Sequence, residues 1–305
     1  MARETFQHGI RVLTLAAADG LTRAEIVPEL GGSVSSLVLP GPDGAPRECL
    51  FRHPWFWDRA TPETRGGIPL LFPVCGRLLK DGADGRYHVH GRPFHLPIHG
   101  FAMRQAWDVA DAGRPDELRL QLTDSKATRA VYPFAFVLEL HFAIAPAALT
   151  CRLTVRNPGR EPLPFAAGFH PYFAVPPTGG GQEQTFFHAR PRASLAYNAT
   201  KTDVTGTLPP PALPLPVGDG RLHSLLLDMG ADRETRITFP DGFEIRQTAS
   251  ALFAFRQLHT LPGVPFFCDE PWSAPAGALN RPDAVRVLAP GQAETGEVLV
   301  VAASG

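Results

Sequence analysis

Apolar and polar residues alternate in short runs along most of the chain. In Leu118-Arg119-Leu120-Gln121-Leu122 the leucines share one face and the polar side chains the other, the period of a half-buried strand. Cys151-Arg152-Leu153-Thr154-Val155-Arg156 repeats the pattern ahead of the turn-forming Asn157-Pro158-Gly159. Phe243-Glu244-Ile245-Arg246 does so after Pro240-Asp241-Gly242. The same signal places strands at 10–14, 23–27, 34–38, 106–110, 118–122, 136–144, 149–155, 235–239, 243–248 and 297–302. Helical periodicity is poor throughout, because 32 prolines and 29 glycines interrupt nearly every window. The apolar runs are too short and evenly spaced for alternating strand–helix units. The pattern predicts an all-β protein, a large antiparallel β-sandwich with its sheets packed face to face.

Two stretches read as long loops: the glycine-rich 176–181 and the proline-rich 208–216. The second is also where a domain linker would fall. Strand-like runs of the same character flank it, so a surface loop on one domain spanning 1–305 is the expectation. Hydrophobic residues at 44% can supply a sizeable core. A formal net charge of -1 and scattered basic residues argue against nucleic acid or an anionic membrane as partner. No apolar run reaches the ~18 residues of a membrane span, and no signal-peptide pattern opens the chain. A cytoplasmic protein is expected. Cys49, Cys75, Cys151 and Cys268 form no Cys-x-x-Cys pair and sit in apolar company, as buried free thiols do.

Three stretches carry the chemistry. Each sets one ionisable side chain in an apolar or proline-stiffened run. His99 lies in Leu96-Pro97-Ile98-His99-Gly100-Phe101, where proline fixes the approach and glycine permits an unusual backbone path. His170 lies in Gly168-Phe169-His170-Pro171-Tyr172-Phe173, where aromatic company favours the neutral imidazole. Glu270 lies in Cys268-Asp269-Glu270-Pro271-Trp272. In an extended segment Asp269 and Glu270 point to opposite sides, so one of them faces a pocket, and Trp272 shares Glu270's side. An indole there can stack on the apolar face of a sugar. Each of the three ionisable groups also has a plain reading: a hydrogen-bonded core histidine for His99 and His170, an exposed loop acid for Glu270. Arg77 ends a proline-bracketed apolar segment. It reads either as a fixed set of donors for hydroxyls or an anion, or as the partner of a carboxylate at the sandwich rim. His88, His90, His95 and His99 fall within twelve positions, which raises a metal site. No acid lies among them, and rim histidines are the favoured reading for the first three.

Taken in order, these stretches resemble the aldose 1-epimerase (mutarotase) superfamily. The resemblance rests on Arg65-Gly66-Gly67-Ile68-Pro69, Phe72-Pro73-Val74-Cys75-Gly76-Arg77-Leu78, His99-Gly100-Phe101-Ala102, His170-Pro171-Tyr172-Phe173 and Glu270-Pro271-Trp272. It implies a β-supersandwich of the galactose mutarotase type and interconversion of α and β anomers of a hexose. It implies no metal and no organic cofactor. By position it makes Glu270 the general base, His170 the general acid, His99 a second active-site histidine and Arg77 a substrate-binding arginine; Arg65 and Trp272 are further candidates for binding a small-molecule sugar.

Two departures from the pattern bear on the substrate. Met103 stands where many relatives carry an arginine, with Arg104 one place later. That argues against a phosphosugar, while Arg65 argues for one, and an unphosphorylated aldose is the expectation. The usual substrate-binding aspartate has two replacements on offer, His223 and Asp228. A hexose-6-phosphate epimerase and a non-catalytic sugar-binding module are the alternatives. A metal enzyme built on His88, His90 and His95 is the third.

Overall fold

The computed structural model describes residues 1–176 and 181–304; residues 177–180 of the glycine-rich loop lie outside the described residues. Antiparallel sheets dominate, as the alternation predicts. A five-stranded sheet is formed by the first 48 residues, from Arg3–Gln7 to Pro46–Glu48. A nine-stranded sheet runs from the edge strand Asp108–Asp111 to Leu215–Pro216, with Ala148–Arg156 and the long Ala293–Ser304 paired at its middle. An eight-stranded sheet carries Phe255–His259 and Phe266–Trp272 side by side.

Each of the ten strands read from the sequence is present, several longer by a residue or two. The edge strand is shifted to Asp108–Asp111, because Trp107 turns inward and is buried in the core. Register explains why the alternating runs hold together. Leu118, Leu120 and Leu122 face Phe142, Leu140 and Leu138 on the next strand. Those in turn face Cys151, Leu153 and Val155. All nine are buried. Burying one leucine or phenylalanine in such a layer contributes about 1.5–3 kcal/mol. The polar positions between them face outward. The four cysteines are free and buried.

Among the strands missed by alternation are short exposed ones such as Arg3–Gln7 and Val204–Leu208 and one buried on both faces. Phe266–Trp272 is buried at all seven positions, so its sequence shows no polar face to read. Among the described residues α-helix is confined to Lys126–Val131 and Gly181–Gln184, beside short 3₁₀ turns. The first is nucleated by Ser125, which exchanges side-chain and backbone hydrogen bonds with Thr128. The proline-rich loop joins Val204–Leu208, an edge of the eight-stranded sheet, to Leu215–Pro216, an edge of the nine-stranded one. No helix among the described residues is long and apolar enough to cross a membrane.

Candidate active site

Register brings the two proposed proton-transfer groups together. Phe266–Trp272 pairs Trp272 with Gly168 and Cys268 with Tyr172. Antiparallel pairing advances one residue on each side, so the interval sets His170 alongside Glu270. Pro171 has no N–H to offer the ladder there. On its other side Glu270 pairs with Gln257. Gly168 permits this approach: a Cβ at that position would stand 2.7 Å from the Pro271 carbonyl oxygen and 2.8 Å from the Trp272 ring. As the alternation requires, Glu270 and Trp272 share a face. Asp269 points the other way, into a fully buried pairing with Arg256 at 3.7 Å.

His170 Nε2 lies 3.4 Å from Glu270 Oε2. Trp272 Nε1–H donates to the same oxygen at 3.0 Å. Both residues are nearly sealed, with 4% and 1% exposure. They border a cleft of about 330 Å³, at the small end of the ~300–1,000 Å³ typical of small-molecule sites. Burial sets the electrostatics. It pushes the Glu270 carboxyl well above its ordinary range. It holds the His170 imidazole well below its own, reinforced by His99 and His259 nearby. The His170 ring stacks on Tyr172 with centroids 4.6 Å apart, and Tyr172 shares a 2.6 Å hydrogen bond with Thr64.

His99 is clamped from both sides. Its backbone N–H donates to the Gly76 carbonyl at 2.9 Å, and its Nδ1 accepts from the Gly76 N–H at 3.1 Å. The ring proton therefore sits on Nε2, and burial lowers the imidazole's pKa to about 3. His99 is a neutral donor with a fixed tautomer. Its backbone is left-handed at φ 64°, an uncommon state for a side-chain-bearing residue. Gly100 follows at φ 73°, and a Cβ there would meet the Phe72 carbonyl oxygen at 2.2 Å. The His99 ring stands edge-on to His170 at 5.2 Å and to Trp272 at 5.9 Å.

The structure gathers Glu270, His170, His99, Trp272 and Arg77 on one cleft. Arg77 is half exposed at the cleft wall, 3.9 Å from Asp84. Two residues singled out in the sequence are elsewhere. The Arg65 guanidinium is turned away from the cleft and donates to the carbonyls of Asp58 and Arg59. It ties down its own loop rather than reaching a ligand. Asp228 pairs with Arg192 and accepts from the Gly230 N–H at 3.0 Å. Of the two replacements weighed for the missing aspartate, His223 is the one on the cleft. Its Nδ1–H donates to the Thr260 carbonyl at 2.6 Å.

His88, His90 and His95 form no metal-binding group among the described residues. His88 lies 3.4 Å from Asp81, and His90 sits at φ 50° in the turn between Arg86–Val89 and Arg92–His95. The group with metal-ligand chemistry among the described residues is His170, Cys268 and Glu270. Gln257, Tyr197, His259 and Lys201 also line the cleft and went unnoticed in the sequence. Gln257 and His259 alternate along Phe255–His259, a weak signal that they share a face. Lys201 in its loop gives none.

The fold and site define a β-sandwich protein with a carboxylate and an imidazole paired in one cleft. The chain belongs to the aldose 1-epimerase family, whose sequence profile matches residues 11–208. That match includes His99 and His170 and ends before Glu270. Among curated relatives, a putative glucose-6-phosphate 1-epimerase of Escherichia coli (strain K12) is 27% identical over 114 residues, 36% of this chain and 33% of that protein. The chromosomal LacX protein of Lactococcus lactis subsp. lactis is 25% identical over 162 residues, 52% of this chain and 50% of that protein. The chain thus matches a third to a half of these relatives' length. Solved structures align over the whole chain. The Slr1438 protein of Synechocystis sp. PCC 6803 superposes with a TM-score of 0.82 at 25% identity, covering 100% of both chains. A galactose 1-epimerase from Lactobacillus acidophilus NCFM superposes at 0.76 and 13% identity, again over 100% of both, a likeness of fold.

Proposed function

We propose that this protein is an aldose 1-epimerase acting as a single domain over 1–305, with Glu270 as general base and His170 as general acid on an unphosphorylated hexose. The observation that carries the reading is the 3.4 Å separation of His170 Nε2 and Glu270 Oε2 inside the cleft. Interconverting anomers requires taking a proton from the anomeric hydroxyl while giving one to the ring oxygen. Both oxygens sit on one carbon, so the acid and the base must stand close together.

Proton bookkeeping fits the pair. Carboxylate and imidazolium hold one proton between them, and so do carboxylic acid and neutral imidazole. Ring opening moves the pair from the first form to the second. The freed aldehyde rotates about C1–C2, and reclosure on the other face returns the pair to its first form. Burial disfavours isolated charge on either group and so keeps the pair at this one-proton level. Neutral His99 offers an Nε2–H to a sugar oxygen. The Trp272 indole holds the base through its N–H, and its ring face is available to the sugar's C–H surface. Each positioned proton transfer is worth ~10²–10⁴ in rate. Four buried thiols left unpaired support a reducing, cytoplasmic setting.

A phosphorylated hexose is the second reading. Lys201 lines the same cleft, donating to Ser224 at 2.7 Å beside His223 and His259, and a relative's name carries glucose 6-phosphate. Against it, the Arg65 guanidinium is already occupied by carbonyls. Anomer exchange followed by NMR on glucose, galactose and their 6-phosphates tests both. Greater acceleration of a neutral aldose is expected. Greater acceleration of a 6-phosphate selects the second reading, and saturable binding with no acceleration of any sugar refutes both.

A further inference from the structure

Cys268 takes no part in the proton transfers above, yet it stands within the same site. It and Glu270 are two residues apart on one strand and so share its face. A ring nitrogen of His170, the Cys268 sulfur and a Glu270 carboxylate oxygen all lie within 4.8 Å of one another. Exposure of the three residues is 4%, 0% and 1%. Imidazole nitrogen, thiolate sulfur and carboxylate oxygen are the donors that zinc-like ions take.

Two oxygen or nitrogen ligands bound at ~2.0–2.2 Å to a tetrahedral ion stand about 3.4 Å apart. His170 Nε2 and Glu270 Oε2 are already separated by 3.4 Å. The third donor, the Cys268 sulfur, lies within 4.8 Å of both, against about 3.6 Å for a sulfur and a nitrogen sharing one tetrahedral ion. The other ring nitrogen of His170, Nδ1, is buried with no hydrogen-bond partner among the described residues. No hydrogen bond at Nδ1 opposes a small adjustment of the ring within its stack on Tyr172. The cleft supplies the fourth position, for water or a sugar hydroxyl.

We propose that His170, Cys268 and Glu270 form an inhibitory site for a soft divalent cation such as Zn²⁺ or Cd²⁺. Binding breaks the Cys268 S–H bond and displaces the one proton that His170 and Glu270 share, forms bonds from the sulfur, the imidazole nitrogen and the carboxylate oxygen to the metal, and releases both protons to solvent through the cleft. No electron is transferred. The bound ion ties up the imidazole and the carboxylate together, so it excludes their use as acid and base. The inhibitory half of this proposal rests on the function proposed above; the binding half does not.

Cd²⁺ titration of the full chain, read by thiolate-to-cadmium charge-transfer absorbance, tests the binding half. One equivalent of absorbance is expected in the unmodified protein. It should persist in Cys75→Ser, whose thiol is also buried, and vanish in Cys268→Ser and Cys268→Ala. Glu270→Gln keeps the thiol and should weaken Cd²⁺ binding by about 10–100-fold, at least the loss seen on removing an outer-shell partner. This arm needs no folded Cys268 variant. Absent absorbance in the unmodified protein, or absorbance retained in folded Cys268→Ser, overturns the proposal. For the inhibitory half, Zn²⁺ should suppress anomer exchange and a chelator should restore it. Measured against its own zinc-free rate, Cys268→Ser should raise the half-inhibitory Zn²⁺ concentration by about 10–100-fold. An unchanged Zn²⁺ response in that variant also overturns it. Cysteine-dependent Cd²⁺ absorbance in a protein that epimerises no aldose upholds the site and refutes the proposed function alone.

Discussion

Glu270→Gln separates the chemistry of the site from its architecture. The substitution keeps the shape of a side chain that is 1% exposed. The glutamine carbonyl can still accept from Trp272 Nε1, which now stands 3.0 Å from Oε2. In the proposed mechanism, what disappears is the ability to take a proton from the anomeric hydroxyl and hand it back on reclosure. Positioned proton transfer is worth ~10²–10⁴ in rate, or about 3–5 kcal/mol of barrier at ~1.4 kcal/mol per decade. Since glutamine preserves binding contacts, the loss should fall on kcat and leave KM within a few-fold. The assay is magnetisation exchange between anomers, corrected for spontaneous mutarotation, with circular dichroism to establish the fold. His170→Asn should cost a similar factor. The double variant should be scarcely worse than either single one, because the two groups act as one proton-holding unit. A folded Glu270→Gln protein that exchanges anomers at the unmodified rate would refute the assignment of the base.

The pH–rate profile should be level through neutrality. Burial holds His170 well below its ordinary range and Glu270 well above its own. An acid limb centred near the ordinary histidine value of ~6.5 would contradict the buried one-proton pair. Stability should fall in acid for a related reason. His99 and His259 are depressed to about 3 and about 4, so the unfolded chain takes up protons that the folded one refuses. That stability is fully present above ~6.5 and is lost as pH falls toward the folded values, by about 2 kcal/mol per histidine at pH ~5. Thermal melts across this window give the measurement, and a flat melting temperature would count against the burial. Asp269→Asn should destabilise by roughly 3–5 kcal/mol, because it strands the fully buried Arg256; denaturant titration checks it. Gly100→Ala forces a Cβ against the Phe72 carbonyl at a left-handed backbone position. It should cost ~1–3 kcal/mol in strain alone and lower kcat by unseating His99, read from melts and exchange rates together.

Much of the sheet architecture was legible in the chain. A half-buried strand writes its two faces into alternate letters, and Leu118–Leu122 is read as easily from sequence as from coordinates. The opposition of Asp269 and Glu270 was legible for the same reason, as was Trp272's place beside Glu270. The alternation gave no signal for Phe266–Trp272 and Phe255–His259, which carry the cleft and are covered on both sides over most of their length. Gln257 and His259 were lost with them. Arg65 shows the opposite error. Its motif suggested a ligand, but three carbonyl contacts within its own loop use the guanidinium instead.

Sequence alone determined which side chains turn inward on each alternating strand, and which glycines and prolines bend the segments holding His99 and His170. These are local matters of backbone period and steric reach. Only tertiary structure decided that His170 lies against Glu270, that His223 and not Asp228 borders the cleft, and that Cys268 joins the pair. Strand register is set by pairing between segments distant in the chain. The proton affinities follow from how completely the surrounding sheets exclude water, and no single segment encodes that.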